Sequence, residues 1–566
     1  MKIKIDGKVC EANEGETVLD VATRVGVKIP TLCYLKKFGP TSSCRMCLVE
    51  VDGQRGLVTA CSFKVKEGMN IKTNTPAIIN ARKINLELLL SNHDFNCTSC
   101  VRDGSCEFEA LKKEYGADES KFAGEKIING LDESSPAIVR DNSKCILCKK
   151  CVAVCEKMQG IGAIKETKRG FETKIACAFD TELNRSSCVG CGQCVLVCPT
   201  GALRESIEIE KVEKILSDDS LIKVVAPAPS VRVAISEELG FNKNYPQSAY
   251  LPTLLREMGF NKVFDVNFGA DLTVMEEAEE FLARVKSRKN LPMFTSCCPA
   301  WVEYAKKFYP EILPNISTCK SPMMMFGAVV KTYYAEKLGV RPEKIAVVAI
   351  MPCTAKKKEA RQKNEQQLQD VDAVLSVREF VYLLKKKKIN TKKLVPSEYD
   401  SMLGESTGAG VIFGASGGVM EASLRTLNDI LNGKNNLKLD YEEVRGLNSV
   451  KLASVDLAGK KVNVAVVSGL KNVGELIDKI KRNEIQVDFV EVMSCPGGCI
   501  NGGGMPIKNS CTQNYSRVVE PRMKEIYALD KVNEFRKSHQ NKEVNEFRKW
   551  NAKTHATKLH TIHGKI

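Results

Sequence analysis

The sequence predicts a multidomain protein of mixed α/β and α+β class, and three observations support this prediction. The chain has 566 residues, which exceeds the usual size of a single hydrophobic core. Spaced groups of cysteines crowd the N-terminal 200 residues, as in small metal-binding domains. Between residues 210 and 500, short apolar runs alternate with helical patterns, which indicates parallel sheets covered by helices. We therefore expect several small cysteine-rich domains followed by one large α/β domain.

The first domain is expected at residues 1–80 and begins with the alternating segment KIKIDGKVCEA, which predicts a β-hairpin. Four thiols in this domain suit a [2Fe–2S] cluster, and a four-cysteine zinc site is the alternative. They belong to Cys33, Cys44, Cys47 and Cys61. Their spacing departs from that of plant-type ferredoxins. It resembles the β-grasp domain that iron-only hydrogenases share with the large peripheral subunit of respiratory complex I.

A second domain, expected at residues 81–126, carries the pattern H-x3-C-x2-C-x5-C. Its residues are His93, Cys97, Cys100 and Cys106. A lone histidine is usually a structural residue, but His93 is the only histidine in the first 538 residues. The resemblance to the same two families implies a [4Fe–4S] cluster with one histidine and three cysteine ligands. An imidazole ligand in place of a thiolate should raise the potential of that cluster.

The third domain, expected at residues 127–209, contains two ferredoxin-like runs. The run CVGCGQCVLVCP (188–199) has the spacing C-x2-C-x2-C-x3-C-P, and CILCKKCVAVC (145–155) repeats it without the proline. In two-cluster ferredoxins, the fourth cysteine of each run binds the other cluster. One [4Fe–4S] cluster is therefore assigned to Cys145, Cys148, Cys151 and Cys198, and the second to Cys188, Cys191, Cys194 and Cys155. Zinc knuckles are the alternative.

These three domains together predict a chain of four accessory clusters, one [2Fe–2S] and three [4Fe–4S]. Four clusters in 200 residues exceed what stability requires, which indicates electron transfer. The clusters do not by themselves identify what is oxidised.

The large α/β domain, expected at residues 210–525, has five apolar runs that predict strands. They are LIKVVAPAPS (221–230), KVFDVNFG (262–269), IAVVAIMPC (345–353), VNVAVVSG (462–469) and VDFVEVMSCP (487–496). Several of these runs end in Cys, Ser or Pro, at the strand ends where open α/β sheets place their sites. We find neither a P-loop motif nor a dinucleotide-binding glycine motif at a strand–helix junction.

Three cysteine motifs in this domain distinguish a hydrogenase from complex I. TSCCPAW (295–301), MPCTAKKKE (351–359) and EVMSCPGGCINGGGMP (491–506) match the active-site signatures of iron-only ([FeFe]) hydrogenases. The order of the N-terminal modules resembles the monomeric clostridial type. Four cysteines from three loops can surround one buried [4Fe–4S] cluster, namely Cys298, Cys353, Cys495 and Cys499. A further electron-relay cluster is the alternative, but the glycines of the third motif would let the backbone pack close to a bulky cofactor.

The resemblance implies that this cluster is part of an H-cluster. Cys499 would also bridge to a diiron subcluster with CO, cyanide and azadithiolate ligands, which hydrogenase maturases supply. Lys356 would donate a hydrogen bond to one cyanide. Other pocket residues implied by the resemblance are Pro229, Ser230, Met351 and Met493. Ordinary core packing is the alternative for each. Met323 and Met324 occupy positions where some relatives carry glutamine, which could change the polarity of the pocket.

Proton supply is the next requirement of such a site. Cys297 precedes the expected ligand Cys298, and an unligated thiol can pass a proton. Glu277, Glu280 and Arg284 share one face of a predicted helix. With Ser317 they resemble the proton path of the family, which would run inward from Arg284 to Cys297. A solvated acidic helix face is the alternative.

Composition limits other functions. The chain has five histidines, and four lie in the last 28 residues, which argues against Ser-His-Asp catalysis and histidine-rich metal sites. The formal net charge is +15, but basic and aromatic residues do not interleave as in nucleic-acid binding. No apolar run reaches the roughly 18 residues of a membrane span. The N-terminus lacks the apolar segment of a signal peptide. We expect a cytoplasmic monomer that binds neither nucleic acid nor membrane.

The last segment, residues 526–566, is expected to be a basic tail that forms an amphipathic helix or frays. It contains the sequence VNEFRK twice, at 532–537 and 544–549. Four cysteines remain unassigned and are expected to be buried structural thiols: Cys10, Cys177, Cys319 and Cys511.

The resemblance predicts the reversible reaction 2H⁺ + 2e⁻ ⇌ H₂, with ferredoxin or flavodoxin as the electron partner. One alternative is the catalytic subunit of an NAD-linked, electron-bifurcating hydrogenase, with other subunits supplying flavin and NAD sites. A hydrogen sensor or an iron–sulfur assembly scaffold is a third possibility, against which the complete set of proton-path residues argues.

Overall fold

A five-stranded mixed sheet forms the N-terminal region of the computed structural model, which describes residues 1–126, 130–239, 247–433, 435–508 and 516–564. Its order is β2-β1-β7-β5-β6, with β1 and β7 parallel. The elements of this region are β1 (Lys2–Ile5), β2 (Lys8–Glu11), α1 (Val18–Arg24), β3 (Tyr34–Leu35), β4 (Gly39–Pro40), β5 (Leu48–Val51), β6 (Val58–Thr59) and β7 (Asn70–Lys72). The antiparallel pair β1–β2 is the predicted hairpin.

Two helices and a small ferredoxin-like unit follow. Helix α2 (Pro76–Leu90) packs against α3 (Glu107–Tyr115), and the loop between them carries the predicted histidine motif. The next unit has a three-stranded antiparallel sheet of order β12-β9-β8 and a β10–β11 hairpin. Its elements are β8 (Leu131–Asp132), β9 (Ile138–Asp141), α4 (Lys150–Ala153), β10 (Lys165–Thr167), β11 (Lys174–Ala176), α5 (Gln193–Val197) and β12 (Leu203–Glu205).

The large domain contains two four-stranded sheets, as the alternating apolar runs predict. The first has the order β14-β13-β16-β17 and is entirely parallel. Its strands are β13 (Ile222–Pro227), β14 (Lys262–Val263), β16 (Ile345–Met351) and β17 (Ala373–Ser376). The second has the order β15-β20-β19-β18, and only β18 is antiparallel. Its strands are β15 (Met293–Phe294), β18 (Val450–Leu457), β19 (Lys460–Ser468) and β20 (Phe489–Met493).

Helices surround both sheets. Before β18 they are α6 (Ile209–Ser217), α7 (Pro229–Glu238), α8 (Leu251–Glu257), α9 (Val266–Ser287), α10 (Pro299–Phe308), α11 (Pro322–Val329), α12 (Ala335–Leu338), α13 (Ala355–Glu359), α14 (Val377–Lys386), α15 (Gly408–Ile412) and α16 (Gly418–Asn432). After it come α17 (Leu470–Lys481), α18 (Ser516–Val532) and α19 (Lys542–Thr554). None of the described helices is long and apolar enough to span a membrane.

One predicted strand is wrong over most of its length. The run 262–269 forms a strand only at Lys262–Val263, and helix α9 begins at Val266. The cause is local, because the Asp265 side chain accepts a hydrogen bond from the backbone N–H of Asn267 (2.9 Å) and caps the helix. The apolar residues of the run are therefore buried along a helix that the proposed proton path also uses.

The C-terminal segment packs against the large domain rather than fraying. Helix α18 crosses the expected boundary at residues 525/526, and α19 buries Val544 and Phe547 in the main core. The two VNEFRK copies adopt different structures. The first copy begins at the last residue of α18 and continues outside the helix, whereas the second lies inside α19.

Candidate active site

Three expected cluster cysteines follow the ends of three strands. Cys298 comes after β15, Cys353 after β16 and Cys495 after β20. Strand β16 belongs to the first sheet, while β15 and β20 belong to the second. The site therefore lies where the C-terminal edges of two sheets meet, the position at which open α/β folds place ligands. Cys499 joins the group from the short turn after Gly497 and Gly498, both of which have positive φ.

The structure brings these four thiols together. The Ser494 hydroxyl lies 3.5 Å from the sulfur atoms of both Cys298 and Cys495. Burial, followed by the neighbouring Cys298 thiol, raises the pKa of Cys353 to about 11. Burial and the three other thiols of the group raise the pKa of Cys499 well above its usual value. Four buried thiolates side by side would repel one another, so the set fits a cationic iron cluster that compensates their charge.

A buried polar atom without a partner lies at the start of α7. The Ser230 hydroxyl makes no hydrogen bond among the described residues, and its side chain is fully buried. Such an atom costs free energy unless a bound group satisfies it, which fits a polar cofactor beside Ser230. Pro229 begins α7 beside Ser230, and Met351 and Met493 are buried at the ends of β16 and β20.

Lys356 has protein partners that the sequence did not indicate. Its Nζ donates to Glu359 Oε2 and Ser321 Oγ, both at 2.7 Å, and to the carbonyl oxygen of Cys297 at 3.3 Å. Burial lowers the pKa of Lys356, but the charge and the hydrogen bond of Glu359, together with the nearby Cys353 and Cys297 thiols, outweigh this effect, and the net shift of the pKa is upward. The anion that a buried lysine requires is therefore present in the chain, and these bonds hold the ammonium beside Cys297.

The residues of the expected proton path lie close together. Glu277, Glu280 and Arg284 share helix α9. The Ser317 hydroxyl donates to Glu280 Oε2 (3.0 Å), and Arg284 Nη2 donates to Glu280 Oε1 (2.6 Å). Burial and then the nearby Glu280 charge raise the pKa of Glu277 from 4.5 to about 7. Burial and then the charge of Glu277 raise the pKa of the Cys297 thiol, so the group extends from the pocket to Arg284. Arg284, expected near solvent, is itself buried and donates to the backbone carbonyl of Ile316.

Two cavities in the ferredoxin-like unit are each lined by four expected ligands. The first is lined by Cys145, Cys148, Cys151 and Cys198. The second is lined by Cys155, Cys188, Cys191 and Cys194. The structure thus groups the fourth cysteine of each run with the other run, which is the arrangement that two cubane clusters require.

The two N-terminal sites also fit metal binding. The sulfur atoms of Cys47 and Cys61 lie 3.3 Å apart, and Cys33 and Cys44 face each other. Among the described residues, the buried Nδ1 atom of His93 has no hydrogen-bond partner. Burial lowers the pKa of His93 to about 4, which keeps the imidazole in the neutral form that binds metals.

Direct contacts connect these sites. The Thr41 hydroxyl lies 3.2 Å from the carbonyl oxygens of both Cys33 and Cys148, which links the first domain to the ferredoxin-like unit. Gln193 Nε2 donates to Asn501 O (2.9 Å), which links that unit to the active-site loop. A Cβ atom added to Gly503 would lie 2.6 Å from Gly192 Cα. The glycines of the GGG motif therefore allow close contact between loops, where we had expected them to accommodate a cofactor.

Sequence reasoning missed two residues of the site. Ser494 lies within the third hydrogenase motif and Gln193 within the second ferredoxin-like run, but neither was singled out, because their roles depend on contacts between distant segments. The position of Ser494 next to Cys495 was the only available signal. Of the unassigned cysteines, Cys10 and Cys177 are buried as expected, and Cys511 lies outside the described residues.

Models of known protein families match four segments of the chain. A model of the iron only hydrogenase large subunit, C-terminal domain, matches residues 222–503. Upstream, a 2Fe-2S iron–sulfur cluster binding domain matches 1–76, an NADH-ubiquinone oxidoreductase-G iron–sulfur binding region matches 82–121, and a 4Fe-4S dicluster domain matches 144–202.

Similar proteins support the same assignment. The NADP-reducing hydrogenase subunit HndD of Solidesulfovibrio fructosivorans is 40% identical over 554 residues, covering 96% of this chain and 94% of the relative. Iron hydrogenase 1 of Clostridium pasteurianum is 39% identical over 545 residues, covering 95% and 94%. A solved structure of apo [FeFe]-hydrogenase HydA1 from Chlamydomonas reinhardtii has a TM-score of 0.53 and 35% identity, covering 62% of this chain and 99% of that one. The chain therefore belongs to the iron-only hydrogenase family and is an [FeFe]-hydrogenase with accessory iron–sulfur domains.

Proposed function

We propose that this hydrogenase catalyses 2H⁺ + 2e⁻ ⇌ H₂ in the cytoplasm as a monomer that exchanges electrons with ferredoxin or flavodoxin. The observation that carries the proposal is the convergence of Cys298, Cys353, Cys495 and Cys499 beside an unligated thiol, Cys297, at the inner end of a buried acidic relay. When bound, the diiron group supplies the metal chemistry of H₂ formation and cleavage.

The residues of the chain hold and move protons. Cys297 carries a proton at Sγ, and the Lys356 ammonium, bonded to the Cys297 carbonyl oxygen, fixes the backbone of the thiol. Glu277 is placed to recharge Cys297, because its raised pKa of about 7 lets it both take and release protons at neutral pH. Ser317 and Glu280 continue the path outward to Arg284.

The remaining residues conduct electrons and hold the cofactors. We assign four accessory clusters to the cysteine sets described above, with His93 as one ligand. The contacts at Thr41 and at Gly503 support electron flow from the first domain through the ferredoxin-like unit to the active site. A compartment that keeps thiols reduced suits this large number of thiolate ligands.

An infrared spectrum of the chain expressed with hydrogenase maturases tests the proposal. We expect metal-bound CO and cyanide bands, and H₂ evolution from reduced ferredoxin. The Cys499→Ala variant should lose the bands, whereas Cys177→Ala, which removes another buried thiol, should keep them. If the Cys499→Ala variant keeps the bands, the assignment of Cys499 as a ligand is contradicted.

Similarity to an NADP-reducing hydrogenase subunit favours a second candidate function. In that case the chain would be the catalytic subunit of an electron-bifurcating, nicotinamide-linked hydrogenase, and its electron partner would be a flavin-binding subunit. Purification from the native cell distinguishes the two. Co-purification with flavin-binding subunits and H₂ formation that requires NADH or NADPH together with ferredoxin would favour the second function.

A further inference from the structure

A cysteine, a histidine and a glutamate meet at the outer end of the proposed proton relay. Cys319 Sγ lies 3.7 Å from Glu280 Oε2 and 3.9 Å from His560 Nδ1. One ligand atom of each residue lies within 4.8 Å of the other two. Cys319 was expected to be a structural thiol, and the C-terminal tail was assigned no role. The structure joins them in one group of soft and hard metal ligands.

The separations match those around a single zinc ion. With a Zn–S bond of about 2.3 Å, a Zn–N bond of about 2.0 Å and tetrahedral angles, the sulfur and nitrogen ligands lie about 3.5 Å apart. The distances from Cys319 Sγ to Glu280 Oε2 and to His560 Nδ1 exceed this value by a few tenths of an ångström. The ligand atoms of Glu280 and His560 lie within 4.8 Å of each other, so side-chain movements would complete the site. Bound Zn²⁺ would replace the thiol hydrogen of Cys319 and take the lone pair of His560 Nδ1, which now faces the Thr318 hydroxyl at 2.8 Å.

The second nitrogen of His560 has the partner that metal-binding histidines usually have. Nε2 lies 3.3 Å from Glu276 Oε2, and Arg548 Nε donates to the other oxygen of that carboxylate at 3.0 Å. A carboxylate on Nε2 fixes the ring and leaves Nδ1 as the metal-binding atom. This arrangement holds Nδ1 within 3.9 Å of Cys319 Sγ, as a shared zinc ion requires.

The backbone also holds the group in place. Lys320 N donates to Leu559 O (2.8 Å) and Thr561 N donates to Thr318 O (2.7 Å), so the tail forms a bridge with the loop of Cys319. A groove lined by Cys319, His560 and His563 opens beside the group, and the His560 side chain is 45% exposed. Ions can therefore reach a thiol that is otherwise buried.

We propose that Glu280, Cys319 and His560 bind Zn²⁺ and that bound zinc stops proton transfer through Glu280. Binding releases the Cys319 thiol proton to solvent, and one thiolate and one carboxylate neutralise the two charges of the ion. A water molecule would occupy the fourth position. The binding site stands on the geometry of these residues alone, whereas the inhibition rests on the proton path of the proposed function.

Zinc binding is tested on the anaerobic, fully loaded enzyme, with ZnCl₂ as the probe and iron content measured to verify that the clusters stay intact. X-ray absorption at the zinc edge should show one sulfur and two or more nitrogen or oxygen ligands. Cys319→Ala should remove the sulfur from the zinc spectrum, and Cys319→Ala and His560→Ala should each weaken zinc binding at least tenfold.

The carboxylate behind His560 gives a further test. Glu276→Gln should weaken zinc binding about 10–100-fold through loss of the hydrogen bond to His560 Nε2. His555→Ala, which removes an exposed imidazole from the same tail, is the matched control. Equal affinity in all variants, or a zinc spectrum without sulfur, would overturn the site.

Inhibition is measured separately, as H₂ evolution at increasing Zn²⁺, with each variant compared with its own zinc-free rate. The wild type and His555→Ala should lose turnover as the site fills, and Cys319→Ala and His560→Ala should need at least tenfold more zinc. Sulfur-ligated zinc that leaves turnover unchanged would overturn the inhibitory half of the proposal and would show that protons do not have to pass Glu280. Absence of zinc binding in an active enzyme would overturn the site and leave the proposed function intact.

Discussion

Two adjacent cysteines have different surroundings. Cys298 Sγ lies beside Ser494 among the cluster thiols, whereas Cys297 faces Glu277 and Lys356. We therefore predict that Cys297→Ala keeps the CO and cyanide infrared bands and loses H₂ evolution by at least about 10²-fold, the lower range for loss of a proton-transfer group. Cys297→Asp should retain partial activity, because a carboxyl group also transfers protons. A Cys297→Ala enzyme with normal turnover would exclude the thiol from proton delivery.

Glu277 should titrate near neutral pH. Its pKa is raised to about 7, so the carboxyl is protonated below this pH and ionised above it. Difference infrared spectroscopy should show a carboxylic-acid band that disappears as the pH rises through about 7 and is absent in Glu277→Gln. Since only the protonated carboxyl of Glu277 can donate toward Cys297, the contribution of Glu277 to H₂ evolution falls as the pH rises through about 7. A midpoint near the ordinary value of about 4.3 would contradict the assignment.

Single-residue chemistry was only partly predictable. The resemblance implied that Lys356 donates to a cyanide, and the structure provides Glu359 as a protein partner three residues away. That pairing could have been suspected, because residues i and i+3 share a helix face. The unpartnered side-chain amide of Asn267 could not have been predicted, because only the tertiary environment leaves it without hydrogen-bond partners.

At the scale of elements, a buried ion pair joins two helices of the large domain. Arg425 on α16 contacts Glu421 at 2.7 Å and Asp530 on α18 at 2.8 Å, and all three side chains are fully buried. Arg445 also contacts Glu421 and Arg536 also contacts Asp530, so in Arg425→Leu each buried carboxylate keeps one partner. We therefore predict a lower melting temperature and a loss of unfolding free energy below the about 3–5 kcal/mol expected for a fully unpaired buried charge.

The matched control for this prediction is Arg482→Leu. Arg482 pairs with Glu484 on the surface, where water screens the ion pair and its contribution to stability is small. Thermal unfolding followed by circular dichroism should therefore show a clear decrease for Arg425→Leu and almost none for Arg482→Leu. Similar decreases for both would indicate that the α16–α18 pair has no special importance.

Two strands and one helix of the large domain show which elements a pattern of apolar residues can predict and which it cannot. Runs that end in cysteine correctly indicated the strands β16 and β20, because a buried strand is continuous and apolar. The run 262–269 was also predicted as a strand, but the cap at Asp265 begins a helix there. A buried helix and a buried strand have the same composition over eight residues.

For the whole molecule, the contact between Gly503 and Gly192 connects electron transfer to catalysis. We predict that Gly503→Val separates the two loops, because a side chain there meets backbone atoms that cannot move independently. H₂ evolution with reduced ferredoxin should fall more than H₂/D₂O exchange, which needs no external electrons. Gly56→Val, where an added Cβ meets no atom within 4 Å, is the control. An equal fall in both rates would indicate damage to the active site itself.

The cysteine spacings were sufficient to predict the succession of iron–sulfur domains and the hydrogenase family, because cluster ligands lie close together along the chain or in recognisable motifs. The spacings could not reveal the position of the C-terminal tail. His560 meets Cys319 across 241 residues, and the chain folds there because α19 buries its apolar face in the main core. Contacts at such separations depend on the packing of the entire domain, and no local pattern in the sequence encodes them.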